Sequence, residues 1–209
     1  MLRIIIADDH SVVRKGIRQI LVEEFPDAVI EEVPDAAMLI NKVIQEEWDL
    51  VISDLSMPGR SGLEALPQIK QIRPYLPVLI MSIHSEDQYA VRVLKAGASG
   101  YLSKDLAPEE LINAIHKVLS GKRYITEIVA EKLATVFSKD ESKPVHELLS
   151  DREFSVLKML AAGQSVTNIA EKMSLSINTI STYRSRILLK MNLKNNTEIT
   201  LYALEHKLI

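Results

Sequence analysis

Three short runs, Arg3-Ile4-Ile5-Ile6-Ala7, Leu50-Val51-Ile52-Ser53-Asp54 and Val78-Leu79-Ile80-Met81-Ser82, are apolar at nearly every position. A strand wetted on one face alternates apolar and polar residues, so runs like these need cover on both faces, as in a parallel sheet. Val29–Val33 and Gly100–Leu102 supply two weaker strand signals. Helical periodicity fills the gaps at about Val12–Glu24, Ala36–Glu46, Leu63–Ile72, Asp87–Ala96 and Pro108–Leu119. Strand alternating with helix predicts a parallel sheet with helices on both faces. Pro108 followed by Glu109 and Glu110 suits a first helical turn. Pro67, inside the third helix, lacks a backbone donor and is expected to kink that helix or delay its start.

The alternation stops after Gly121. Thr126–Phe137 has the pattern of one amphipathic helix, and Ser138-Lys139-Asp140-Glu141-Ser142-Lys143-Pro144 is a polar run without core residues. The rest of the chain is helical only. Ser150-Asp151-Arg152-Glu153 is a capping box opening a helix that ends at Gly163. A short helix is expected at Val166–Met173, a longer one at Ile177–Met191 capped by Ser176, and a last one from Glu198 to about His206 capped by Thr197. The organisation is therefore a domain at 1–121, a linker with a possible helix at 122–147, and a second domain of four helices at 148–209.

With 209 residues, 47% of them hydrophobic, the chain holds enough apolar material for two small cores. It has no cysteine, which excludes disulfides, thiolate metal sites and cysteine nucleophiles. No apolar run approaches the roughly 18 residues of a membrane span, and the acidic pair Asp8-Asp9 interrupts any secretory signal. These features fit a cytoplasmic protein with no membrane partner. Net charge is -3 but uneven: 12 Lys/Arg against 18 Asp/Glu in 1–121, and 8 against 5 in 149–209. The mildly basic second domain is compatible with nucleic acid, as it is with an ordinary solvated surface.

In a parallel sheet the carboxyl ends of the strands share one edge, and ligands bind there near the point where strand order reverses. Asp8 and Asp9 follow the first strand, Asp54 ends the third, Ser82 ends the fourth and Lys104 follows the fifth. Crowded carboxylates repel unless a cation joins them, and an oxygen-only set suits a hard ion such as Mg²⁺. Asp54 would then act as nucleophile toward a phosphoryl group, with Ser82 and Lys104 stabilising its other oxygens. Singly, each residue has a plainer reading. Asp8-Asp9 fits an N-cap, Asp54 a turn carboxylate, Ser82 and Lys104 surface positions, and Tyr101 a core aromatic.

The segments Ile6-Ala7-Asp8-Asp9-His10, Asp54-Leu55-Ser56-Met57-Pro58-Gly59 and Ala96-Gly97-Ala98-Ser99-Gly100-Tyr101, with Lys104 at the matching offset, resemble the receiver domain of two-component signalling. The resemblance implies a flavodoxin-like, doubly wound, five-stranded parallel α/β sheet. It implies that a sensor histidine kinase phosphorylates Asp54, that Asp9, Asp54 and the Ser56 carbonyl bind Mg²⁺, and that Asp8 holds the ion through water. Ser82 and Tyr101 match the switch pair: phosphorylation adds roughly 1.5–2 negative charges, Ser82 turns toward them, and Tyr101 moves into the vacated space. Asp105 departs from the proline that many receivers carry after the lysine. Ser56 and His84 are expected to flank the site and tune water access.

The helix ending near Met173, the turn Ser174-Leu175-Ser176 and the helix from Ile177 have helix-turn-helix dimensions. Such a unit places its second helix in the major groove, with Asn178, Ser181, Thr182, Ser185 and Arg186 outward and Ile180, Ile187, Leu188 and Met191 inward. That polar face alone fits a solvated surface equally. Leu149-Ser150-Asp151-Arg152-Glu153, Ala162-Gly163, Ile169-Ala170 and Thr179-Ile180-Ser181-Thr182-Tyr183-Arg184-Ser185-Arg186-Ile187-Leu188 resemble the LuxR-type helix-turn-helix. With the receiver, they make the chain similar to NarL/FixJ-type response regulators over nearly its whole length. Many members carry Lys at Ser181 and His at Tyr183, so base contacts here are expected from hydroxyls, with weaker phosphate binding. Asn192, in place of a frequent Gly, still permits a left-handed helix stop. Thr179, Tyr183 and Arg184 join the DNA-facing set, and Lys190, Lys194, Asn195, Asn196 and Thr197 are assigned to the backbone. The resemblance implies a homodimer on double-stranded DNA, paired through the last helix, with RNA polymerase as a further partner.

The reading is thus a phosphorylation-controlled transcription factor and not an enzyme, beyond assisting its own phosphorylation and dephosphorylation. An aspartyl-phosphate phosphatase would need a second carboxylate where Ser56 stands. A binding module without phosphate control would not need Asp8, Asp9, Asp54, Ser82 and Lys104 together.

Overall fold

The structure is a computed structural model and describes residues 1–83, 86–131 and 144–209. His84, the later part of the Thr126–Phe137 helix and the polar run 138–143 lie outside the described residues. The chain divides into two compact units, Met1–Ser138 and Lys139–Ile209.

In the first unit β1 (Arg3–Ala7), β2 (Val29–Val33), β3 (Leu50–Asp54), β4 (Val78–Ser82) and β5 (Gly100–Ser103) form one sheet of order β2-β1-β3-β4-β5, parallel throughout. They alternate with α1 (Ser11–Glu24), α2 (Ala36–Gln45), α3 (Gly62–Ile72), α4 (Glu86–Lys95) and α5 (Pro108–Leu119). Every residue of β3 and β4 is buried, the burial on both faces that their continuous apolar character demands. Ile4, Ile6, Ile52, Leu79 and Leu102 share one core cluster with Ile17 and Leu21 of α1 and Leu111, Ala114 and Ile115 of α5.

Strand order reverses between β1 and β3, which places Asp8 and Asp54 beside the crevice where a sheet of this kind takes ligands. The helix N-terminus after β3 is fixed by a capping box: Ser61 Oγ accepts from Glu64 N–H at 3.2 Å, and Glu64 Oε2 accepts from Ser61 N–H at 3.1 Å. Pro67 does not delay α3, which begins at Gly62, because this cap nucleates the helix ahead of the proline.

The stretch expected as linker, 122–147, is packed at both of its described ends. Tyr124 N–H donates to Ser99 O at 2.8 Å and forms an isolated parallel bridge with Gly100, while its hydroxyl donates to Glu110 at 2.7 Å. At the other end Val145–Leu148 form a 3-10 helix of the second unit, held where His146 N–H donates to the Tyr202 hydroxyl at 3.3 Å.

The second unit contains α6 (Asp151–Ala161), α7 (Val166–Met173), α8 (Ile177–Met191) and α9 (Asn196–Glu205) around buried Phe154, Ile169, Ile180, Ile187 and Ile199. Ser150, Ser165 and Ser176 cap the first three. Ser174 closes α7 at φ 53, and Asn192 closes α8 at φ 53, the left-handed stop an asparagine tolerates. The cap of α9 is Asn195, not Thr197: its Oδ1 accepts from Glu198 N–H at 3.0 Å, and Glu198 returns a bond to Lys194 N–H at 2.7 Å. That reciprocal arrangement starts the helix two residues earlier than expected. Among the described residues, no helix is long and apolar enough to cross a membrane.

Candidate functional site

The edge formed by the ends of β1, β3 and β5 brings together Asp8, Asp54 and Lys104. Lys104 Nζ lies 2.6 Å from Asp8 Oδ2 and 3.1 Å from Asp54 Oδ2, with all three side chains buried or nearly so. Its backbone N–H donates to Ser82 O at 2.8 Å, which ties the loop after β5 to the end of β4. The peptide between Lys104 and Asp105 is trans, and Asp105 N–H bonds Ser103 Oγ at 3.2 Å. Burial, opposed by Lys104 and reinforced by Asp8, pushes the Asp54 carboxyl from its ordinary 3.8 up to about 6. Burial acts in the other direction on Lys104, but hydrogen bonds and charge from Asp8 and Asp54 outweigh it and raise its pKa.

Asp8 is not the N-cap of α1. That position belongs to His10, whose N–H donates to Asp8 Oδ1 at 2.8 Å and leaves the carboxylate turned into the site. Asp8, Asp9, His10 and Asp54 can each offer one donor atom within 4.8 Å of one another. Asp9 Oδ1 is shielded from solvent and accepts no hydrogen bond, although His10 Nδ1 stands 2.9 Å away without the alignment of one. A shielded anionic oxygen among carboxylates fits a divalent cation, and the oxygen set fits Mg²⁺. In the sequence His10 is marked only by its place at the end of the receiver-like segment Ile6-Ala7-Asp8-Asp9-His10, next to the acidic pair.

Ser56 is exposed, and its backbone N–H bonds the Asp54 carboxylate. Ser82 and Tyr101 are both buried, Tyr101 paired with Ile80 in the sheet, two residues before the end of β4. Tyr101 therefore occupies an inward position in this structure.

In the second unit α8 turns Asn178, Ser181, Thr182, Ser185 and Arg186 outward, with Ile180, Ile187 and Met191 buried beneath. Thr179, Tyr183 and Arg184 are partly buried at its flanks, while Lys190, Lys194, Asn195, Asn196 and Thr197 are exposed. Several of these groups already have partners inside the domain. Arg184 Nε donates to Asn196 Oδ1 at 2.7 Å, Lys190 Nζ to Glu153 Oε2 at 2.6 Å, and Thr179 takes part in the Ser176 cap. The Glu153–Lys190 pair is invisible to local pattern, since its members belong to different helices.

A parallel sheet that gathers carboxylates and a bridging lysine at its switch point, joined to a helix-turn-helix unit, defines a class of two-part signalling protein. Residues 4–116 match the response regulator receiver domain, and residues 147–203 match the bacterial regulatory proteins of the luxR family. The response regulator UvrY of Escherichia coli (strain K12) is 34% identical over 209 residues, covering 100% of this chain and 96% of its own. The oxygen regulatory protein NreC of Staphylococcus carnosus is 35% identical over 215 residues, covering 100% and 99%. Among solved structures, RcsB of Salmonella enterica serovar Typhimurium, bound to promoter rprA in the presence of the phosphomimetic BeF3-, is 30% identical, with a TM-score of 0.62 and coverage of 97% and 98%. The chain belongs to the NarL/FixJ-type response regulators, which join a receiver to a LuxR-type DNA-binding domain. The family consists of transcription regulators and not of enzymes in the ordinary sense.

Proposed function

We propose that Asp54 is the phosphoacceptor of this response regulator and that its phosphorylation controls DNA binding and transcription through α8. The observation that carries this is Lys104 Nζ, within 3.1 Å of Asp54 and 2.6 Å of Asp8 in a buried site at the strand-order switch. An Asp54 oxygen attacks phosphorus, the bond from phosphorus to the donor breaks, and the donor leaves with that bond's electrons; a histidine kinase is the physiological donor. Lys104 and Ser82 stabilise the peripheral oxygens of the transferring group. Asp9, Asp54 and the Ser56 carbonyl, with Asp8 through water, would hold Mg²⁺, which supplies charge neutralisation when bound. Tyr101 and Ser82 carry the change away from the site.

On the output side, Asn178, Thr179, Ser181, Thr182, Tyr183, Arg184, Ser185 and Arg186 face the major groove, and Lys190, Lys194, Asn195, Asn196 and Thr197 lie toward the backbone. Two copies pair through α9 on double-stranded DNA in the cytoplasm and act with RNA polymerase. Incubation with acetyl phosphate and Mg²⁺ is expected to add one phosphoryl group by intact mass, and Asp54→Asn to add none. Equal labelling of the two proteins overturns the site. DNA affinity is expected to rise on phosphorylation and to fall steeply with salt.

A further inference from the structure

We infer that Arg14 of α1 is a positioning residue for the metal ligand Asp9: its guanidinium, braced by Glu32 of β2, holds the Asp8–Asp9 peptide in the orientation that turns the Asp9 carboxylate into the site. This rests on the reading of Asp9 as a ligand of Mg²⁺ and names what keeps that ligand in place.

Asp8 is anchored through all four of its polar atoms. Its N–H donates to Val33 O at 3.2 Å, Oδ1 accepts from His10 N–H at 2.8 Å, Oδ2 lies 2.6 Å from Lys104 Nζ, and its carbonyl oxygen accepts from Arg14 Nη1 at 2.5 Å. The last anchor is the one that also governs Asp9. Asp8 C=O and Asp9 N–H belong to one planar peptide, so a bond that fixes the oxygen fixes the plane from which Asp9 departs.

The Asp9 side chain has no such support of its own. Its Oδ1 is shielded and accepts no hydrogen bond, and His10 Nδ1, at 2.9 Å, is out of alignment for one. A donor atom of Asp9 nevertheless lies within 4.8 Å of donor atoms of Asp8 and Asp54. The backbone therefore supplies the aim that the side chain lacks. Arg14 is itself held: its Nε is shielded, makes no hydrogen bond, and faces Glu32 Oε2 at 3.6 Å. Arg18 Nε stands 3.8 Å from the other Glu32 oxygen. A planar guanidinium can meet a carbonyl and a carboxylate in two directions at once, which a point-like ammonium cannot.

Electrostatics and positioning predict opposite signs, because a cation beside a metal site repels the incoming ion. Mg²⁺ alone would be titrated into the chelator-treated full chain and followed by NMR through the amide shifts of Asp54 and Lys104. Arg14→Met is expected to weaken Mg²⁺ binding about tenfold, as loss of a group that orients a metal ligand does. Arg14→Lys, which keeps the charge but not the fork, is expected to weaken it less. In the acetyl phosphate reaction, followed by intact mass, the half-saturating Mg²⁺ concentration of Arg14→Met should rise by the same factor. Its rate at saturating Mg²⁺ should stay near the parent's, since a bound ion has already drawn Asp9 into place. Parent or tighter Mg²⁺ affinity in Arg14→Met overturns the inference; should that variant not fold, parent affinity in Arg14→Lys does so. Asp9→Asn is the control for the ligand itself and is expected to lose the Mg²⁺ response. Parent affinity in Asp9→Asn overturns the ligand assignment and the inference with it.

Discussion

Gly62 has no room for a side chain because Asp54 is behind it: a Cβ there would lie 2.1 Å from the Asp54 carbonyl oxygen and 2.8 Å from Ser53 Oγ. The close approach is made by the bond from Gly62 N–H to Leu55 O at 3.0 Å, which draws the N-terminus of α3 against the end of β3. The obstacle is backbone and cannot rotate away. Gly62→Ala is expected to cost about 2–3 kcal/mol by overpacking and to shift Asp54 relative to Lys104. Urea unfolding reads the first effect. The second should appear as a slower acetyl phosphate reaction by intact mass, beyond what the fraction folded explains. Wild-type stability and rate in this variant would mean that α3 can retreat freely from the site.

The raised pKa of Asp54 makes a stability prediction for the metal-free protein. Its folded value of about 6 lies above the ordinary 3.8, so the folded state holds this proton more tightly. Stability from this group is fully present below pH 3.8 and is lost as pH rises through about 6. At pH 7.5 in chelator, Asp54→Asn is expected to be more stable than the parent by roughly 2–3 kcal/mol. The gain should vanish near pH 4 and shrink when Mg²⁺ is added, because a bound cation offsets the cost of burying the Asp54 charge and of setting it beside Asp8. Melting curves at two pH values with and without Mg²⁺ test this; a variant less stable at pH 7.5 in chelator would contradict it.

The first unit was legible because burial on both faces writes itself into a strand residue by residue. Four of the five strands, β1 to β4, have the bounds their apolar runs predict, and β5 gains only Ser103. Strand-end residues inherited that legibility, which is how Asp8, Asp54, Ser82 and Lys104 could be placed on one edge. What stayed hidden depends on partners distant in sequence or on a choice between near-equals. Lys194-Asn195-Asn196-Thr197 offers several candidates for one cap, and only the reach of Glu198 back to Lys194 and Asn195 decides among them. The constraint on Gly62 exists only once β3 and α3 meet. Lys190, assigned to the DNA backbone from its position on α8, has its charge held by Glu153 at 2.6 Å.

The face of α9 bears on assembly. Leu201 and Leu204, three residues apart and so on neighbouring turns of one face, are 55% and 56% exposed within the domain. If α9 pairs two copies on DNA, a charge at either position would have to be buried without a partner. Leu204→Glu is expected to weaken dimer formation by at least tenfold, a cost of about 1.4 kcal/mol, while leaving the melting temperature of the monomer near its parent value. Sedimentation of the acetyl phosphate-treated protein, with and without duplex DNA, measures it. Unchanged dimerisation would move the interface to another surface.

Glu153 links the cap of α6 to the reading helix, and its loss should be felt at both. It is 2% exposed, it accepts from Ser150 N–H at 2.8 Å and Ser150 Oγ at 3.0 Å, and it takes Lys190 Nζ at 2.6 Å. Burial alone would raise its carboxyl, but the bonds from Lys190 and Ser150 outweigh burial and hold it below the ordinary 4.5. Its contribution is therefore present above pH 4.5 and lost as pH falls through the depressed folded value. Glu153→Ala is expected to cost about 2–3 kcal/mol at pH 7, combining a lost capping box with lost charged hydrogen bonds. The deficit should narrow on acidification below pH 4.5, where the parent also loses the interaction. Lys190→Ala removes only one of the bonds and should cost about 1–2 kcal/mol. With Lys190 Nζ committed to Glu153, Glu153→Gln frees that cation, so tighter and more salt-dependent DNA binding is expected from this variant even as its stability falls. Denaturant unfolding together with a salt titration of DNA affinity separates the two effects; a variant that loses stability and affinity together would show that Lys190 does not gain access to phosphate when released.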